Sequence, residues 1–113
     1  MKIRDKHWNG ILNRCRGETL RHFIVKTVMF YQLCKLEHDI RTEWRVPNGY
    51  VDIVDLTTHT IYEIELSANK SFRNRKIDLY DMPGFEVIVV DCHNLPSDID
   101  GMAVFLEQYI VPD

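Results

Sequence analysis

Asn48-Gly49-Tyr50-Val51-Asp52-Ile53-Val54-Asp55-Leu56, followed after a four-residue turn by Ile61-Tyr62-Glu63-Ile64-Glu65-Leu66, is the stretch that decides the fold. Both segments read as strands joined by a short turn, Thr57-Thr58-His59-Thr60. Strand side chains alternate, so Glu63 and Glu65 share one face and Tyr62, Ile64 and Leu66 the other. Asp52 on the adjacent antiparallel strand approaches both glutamates on their face. Asp55 falls on the opposite face from Asp52 and reads as an exposed or turn residue. Half-solvated strands show the same alternation of acidic and apolar residues. Three converging carboxylates in a hydrophobic frame are a different matter. They repel one another, and desolvation adds to the cost. A divalent cation removes both penalties, and Mg²⁺ takes oxygen ligands, often one or two carboxylates plus water and phosphate.

Upstream, Pro47-Asn48-Gly49 is a turn signal, because Asn-Gly tolerates the positive φ of hairpin turns. Residues 40–46 alternate as a strand with Trp44 and Val46 on one face. Residues 18–38 contain no proline or glycine, and Leu20, Phe23, Ile24, Thr27, Val28, Tyr31 and Cys34 recur at helical spacing. Val25, Met29, Phe30, Leu33 and Leu36 add a second apolar face, so this helix is expected to be covered on more than one side. Downstream, residues 72–80 read as a short helix stopped by Met82-Pro83-Gly84. Val87-Ile88-Val89-Val90 is a continuous apolar run, expected as a buried strand paired in parallel. Ser97 with Asp100 resembles a capping box opening a last helix, whose apolar stripe is Ile99, Met102, Ala103, Leu106, Tyr109 and Ile110. The expected fold class is α/β, order α-β-β-β-α-β-α, a small central mixed sheet flanked by helices. Residues 1–16 are expected as a basic N-terminal arm or short helix, and residues 17–113 as a single domain.

This order, with an Asp on the second strand and an acid-x-acid motif on the third, resembles the PD-(D/E)xK nuclease superfamily. That superfamily includes restriction endonucleases and archaeal Holliday-junction resolvases. Gly49-Tyr50-Val51-Asp52-Ile53-Val54 looks like its Asp strand, and Tyr62-Glu63-Ile64-Glu65 like its (D/E)xK strand. The resemblance spans residues 17–95 and implies a restriction-endonuclease-like core with a Mg²⁺- or Mn²⁺-dependent DNA endonuclease activity. It implies Asp52 and Glu63 as metal ligands, with the Ile64 carbonyl as an additional one. Glu65 stands in the slot usually held by a lysine that activates or orients water. Lys70 or Lys76 would then reach back to supply the ammonium, or contact phosphates instead. The family often adds a Glu from the first helix. Glu18 is the natural match, or else a first-turn Glu complementing the helix dipole. Glu43 is another such candidate, and its face is undecided by sequence. An archaeal or viral origin suits so minimal a version. A symmetric homodimer would ease cutting of both strands or of a branched junction.

Two basic groups flank these motifs. Arg14, Arg16, Arg21 and Lys26 lie near the first helix, and Lys70, Arg73, Arg75 and Lys76 follow the acidic strand. Both are expected to grip backbone phosphates, which positions nucleic acid without reading its sequence. The alternative for each is solvated surface charge. Cys34, His38, Cys92 and His93 could in principle bind zinc, but tight Cys-x-x-Cys spacing is absent. Cys34 reads as a core residue, and His22 as a helix-surface or site-lining one.

The 113 residues carry 45 % hydrophobic and 27 % charged side chains, so the chain is expected to fold around one core. Three cysteines without framework spacing suit a reducing, cytoplasmic setting (the host's, if viral), and no stretch reads as a signal or membrane span. The net charge of −3 conceals an asymmetry. Residues 1–76 hold all 14 Lys and Arg and a charge of +5, and residues 77–113 hold no Lys or Arg and a charge of −8. Two non-catalytic readings stay open beside the endonuclease: a nuclease-like binding module, and a structural α/β protein with no nucleic-acid role.

Overall fold

The computed structural model describes residues 10–14, 16–47, 49–66 and 82–112. They form an α/β unit of five strands and two helices: β1 Gly10–Ile11, α1 Leu20–Cys34, β2 Ile40–Val46, β3 Gly49–Asp55, β4 Thr60–Glu65, β5 Glu86–Asp91 and α2 Ile99–Leu106, with a 3-10 turn at Glu107–Tyr109. The strands lie in one mixed sheet in sequence order. β1 runs parallel to β2, β2–β3 and β3–β4 are antiparallel, and β4–β5 is parallel. The parallel pairing expected of the Val87–Val90 run is thus present. The helix expected over residues 72–80 lies outside the described residues, so the full seven-element order is not on view.

Thr19 opens α1 with its hydroxyl, which accepts the His22 N–H at 3.1 Å. The helix is shorter than expected at both ends. Glu18 precedes the cap, and the chain turns through Glu37 at φ +61°. Val25, Met29 and Leu33 are fully buried against Ile40, Ile53, Tyr62, Ile64 and Val90, forming the main core. Each such side chain contributes about 1.5–3 kcal/mol. α2 covers the other flank of α1, where the Gln32 side chain donates to the Ala103 carbonyl at 3.0 Å. Its N-cap is Asp98, not Ser97: the Asp98 carboxylate accepts the Gly101 N–H at 2.8 Å. The Tyr62 hydroxyl accepts the Val111 N–H at 2.9 Å and ties down the C-terminal stretch.

Gly10 and Ile11, in the stretch read as an arm, pair with Ile40 and Arg41 at the edge of the sheet. Glycine is required at position 10 because a Cβ there would lie 2.9 Å from both Cys34 Sγ and the Ile40 carbonyl oxygen.

Two departures from regular strand geometry shape one end of the sheet. Glu43 adopts φ +50° in mid-strand. The β2–β3 ladder pairs Thr42 with Ile53 and Trp44 with Val51, skipping the pair between them. The facing pattern switches at this level. Ile40 and Ile53 belong to the helix-side core, whereas Trp44, Val46 and Val51 pack with Val54, Ile61 and Phe85 on the opposite face. The second departure is between β3 and β4, whose ladder stops at Ile53–Tyr62. The next residues on each strand are Asp52 and Glu63.

Candidate functional site

At the splayed end of β3 and β4 the backbone donors bond to side chains instead of to the opposing backbone. The Asp52 N–H donates to Glu63 Oε1 at 2.7 Å. The Ile64 N–H donates to Asp52 Oδ2 at 2.7 Å. Each of the two carboxylates is therefore held by the other strand's main chain. Glu63 is 1 % exposed.

α1 adds a stripe. His22 and Lys26 stand four residues apart on one side of the helix, and Glu18, just before the cap, reaches both. Glu18 joins its two neighbours, with Oε2 on His22 Nδ1 and Oε1 2.8 Å from Lys26 Nζ. Lys26 Nζ also donates to Glu43 Oε2 at 3.1 Å and lies 5.3 Å from the Phe23 ring centre. His22 Nε2 lies 3.5 Å from Asp52 Oδ2. Charges of alternating sign thus run Glu43, Lys26, Glu18, His22, Asp52. The left-handed turn at Glu43 and the switch in facing bring Glu43 and Asp52 to the α1 side. The His22 imidazole is held protonated, its pKa pushed up to about 9. Hydrogen bonding to Asp52 is the main cause, opposed by burial and reinforced by the charges of Asp52 and Glu18.

Asp52, His22, Glu18, Lys26 and Glu43 thus form one ion-pair network, to which Glu63 is tied through the Asp52 main-chain N–H. Glu65 is buried two residues along β4, and its carbonyl accepts the Cys92 N–H at 2.9 Å. Hard oxygen donors of this kind suit Mg²⁺, which needs only one or two carboxylates from the protein. Among the described residues no three Asp, Glu, His or Cys side chains are set closely enough to enclose an ion by themselves. Asp52 and Glu63 supply carboxylate oxygens of that kind, and a closed protein cage does not fit the described residues.

The predicted basic residues fare differently. Arg14, Arg16 and Arg21 are exposed. Lys26, expected to grip phosphate, is 0 % exposed and cannot do so: it is the buried counter-ion of Glu18 and Glu43. Lys70, Arg73, Arg75 and Lys76 lie outside the described residues. Asp55 is not exposed either. It is fully buried, with Oδ2 2.6 Å from His38 Nδ1 and Oδ1 accepting the Thr57 and Thr58 N–H groups at 2.9 and 3.1 Å. This pair pins the β3–β4 turn. Burial pushes the Cys34 thiol up to about 11, and burial aided by the Asp91 charge does the same to Cys92. Cys92 lies in the main core and Cys34 packs against it, the packing role expected of Cys34.

The sequence reading missed Lys26 as a partner of the acids, although the four-residue spacing from Glu18 through His22 was a usable signal. Compared with known protein families, with curated proteins and with solved structures, the chain matches none.

Proposed function

We propose that this chain is a metal-dependent endonuclease that hydrolyses DNA phosphodiester bonds. The observation that carries the reading is the interlock of Asp52 and Glu63 at the splayed end of β3 and β4, with Glu18 joined to it through His22. Asp52 and Glu63, with the Ile64 carbonyl, would hold Mg²⁺ or Mn²⁺. Such an ion polarises a phosphoryl oxygen and lowers the pKa of bound water. Glu65, alone or with Lys70, orients the attacking water. Glu18 completes the acidic wall, and Lys26 and His22 hold it in place. Arg14, Arg16 and Arg21 bind backbone phosphates, and Arg73, Arg75 and Lys76 are assigned the same task. Pairing as a symmetric dimer would present two such sites to a duplex or a junction. The restriction-endonuclease-like architecture and a cytoplasmic setting belong to the same proposal.

The test is cleavage of plasmid, nicked, flapped and four-way DNA with Mg²⁺ or Mn²⁺. The wild type cuts, and Asp52→Ala loses at least about a hundredfold, the scale of deleting one electrostatic contact to the transition state. One observation favours a second reading, a nuclease-like fold serving as a nucleic-acid-binding or protein-interaction module. Asp52 and Glu63 are engaged by main-chain donors, while a glutamate fills the lysine slot. Nucleic-acid binding without cutting of any substrate would decide for that module.

A further inference from the structure

The β2–β3 hairpin ends in a pair that the site described above does not use. Arg45 and Tyr50 stand opposite each other across the two strands, and both are exposed. Tyr50 leaves 54 % of its surface in water. Among the described residues neither side chain has a hydrogen-bond or ion-pair partner.

Their direction follows from their neighbours. Trp44, Val46 and Val51 pack into the cluster on the sheet face away from the helices. Strand alternation puts Arg45 and Tyr50 on the other face, the one to which Asp52 and Glu43 turn. Tyr50 is two residues from Asp52, about 7 Å along the strand. α1 begins beside Asp52, where His22 meets it, and so does not cover the hairpin end.

Other exposed cations lie on the segment before α1 and on its first turn. The Asn13 N–H donates to Thr42 Oγ1 at 2.5 Å, which holds the residue before the exposed Arg14 against β2. Arg21 is exposed on the first turn of α1. An uncovered aromatic ring beside an exposed guanidinium group is complementary to a polyanion that has free π-faces. Duplex DNA hides its bases in the stack, whereas unpaired nucleotides offer them to aromatic side chains.

We propose that Tyr50 and Arg45 form a seat for one unpaired nucleotide beside the carboxylate site, the tyrosine ring stacking on the base and the guanidinium binding the adjoining phosphate. The seat rests on the nuclease reading, because it takes the polymer bound at Asp52 to be nucleic acid. It narrows the substrate class to strands with unpaired bases: single strands, flaps and open junctions.

Binding of the full-length chain is followed by fluorescence anisotropy in chelator, so that no cleavage intervenes. The probes are labelled oligo(dT), labelled oligo(rU) and a blunt duplex of the same length. Tyr50→Ala weakens single-strand binding roughly tenfold or more, as expected for one stacked base. Tyr50→Phe restores it, and duplex affinity stays within about twofold. Arg45→Ala lowers the salt slope for single strands by about 0.7, the release from one phosphate. Equal losses on the two oligonucleotides assign a seat that ignores the sugar, and a loss on one alone assigns the polymer. The seat is overturned if wild type does not bind single strands. It also falls if Tyr50→Ala lowers thermal stability and leaves oligonucleotide affinity unchanged, for the pair is then only a cross-strand packing contact. Cleavage by wild type and its loss in Asp52→Ala are measured separately in Mg²⁺, so the nuclease reading can stand while the seat fails.

Discussion

His22 couples two carboxylates through one ring, and its charge state controls how tightly α1 holds β3. Its folded pKa is raised from 6.5 to about 9, chiefly by the hydrogen bond to Asp52. A raised pKa means that the protonated form stabilises the fold. That contribution is complete below the unfolded value of 6.5 and is lost as the pH climbs through about 9. The metal-free chain should therefore lose on the order of 2 kcal/mol between these limits, allowing for the ring's partial exposure. Urea unfolding of wild type and His22→Gln across this window checks it. The gap between them should close toward high pH, and a constant gap would sink the assignment. Single residues were the least legible level of the sequence. Asp55 reads as exposed because its alternation is right for a surface position, yet its partner His38 is 17 residues away and closes over it. Lys26 reads as a phosphate contact because sequence gives its charge and not its burial. What brings Lys26 inward is a pair of carboxylates from separate elements, Glu18 and Glu43.

At the scale of elements the sequence was more informative where the period was strong and the ends were punctuated. β2 has the expected residues 40–46, stopped by Pro47, and β5 spans the expected run, stopped before Asn94-Leu95-Pro96. β1 was illegible because two residues carry no period. Its pairing is imposed by α1 and β2 closing around Gly10. The break at Glu43 was hidden too, since positive φ at a non-glycine residue follows from tertiary contacts rather than local preference. It also shaped the site, because the acids reach α1 through that break and not through regular pleating. Gly10→Ala tests the edge. Its new Cβ would press on Cys34 Sγ, the Ile40 carbonyl and, at 3.0 Å, Phe30 Cε1. Overpacking of this kind costs about 1–3 kcal/mol. The stability loss should come with faster hydrogen exchange at the Asn13 amide, which is bonded to Thr42. An unchanged melting temperature with a protected Asn13 amide would show that β1 is not held there.

Across the whole molecule, α1 joins the acidic site to the second helix. At its N-terminal end are the exposed Arg16 and Arg21 and, through His22, the acidic cluster. At its C-terminal end Gln32 joins α2, within the part of the chain that has no Lys or Arg. The two ends of this 15-residue helix are about 22 Å apart. The acids of the site have to be held together in the folded chain only. An ion that binds them there, and not in the unfolded chain, adds to global stability by linkage, about 2.7 kcal/mol at a hundred times its dissociation constant. Mg²⁺ should therefore raise the melting temperature of the wild type. Glu63→Gln keeps an oxygen to accept the Asp52 N–H but removes the charge, so the fold should survive while the rise with Mg²⁺ disappears. Asp55→Asn serves as the control. It alters a buried carboxylate that is bonded to His38 at the far end of β3, and it should lower the melting temperature while leaving the response to Mg²⁺ intact. If Mg²⁺ and Mn²⁺ leave the wild-type melting temperature unmoved at millimolar concentration, the carboxylate cluster is a structural ion-pair network and the metal-dependent reading fails with it.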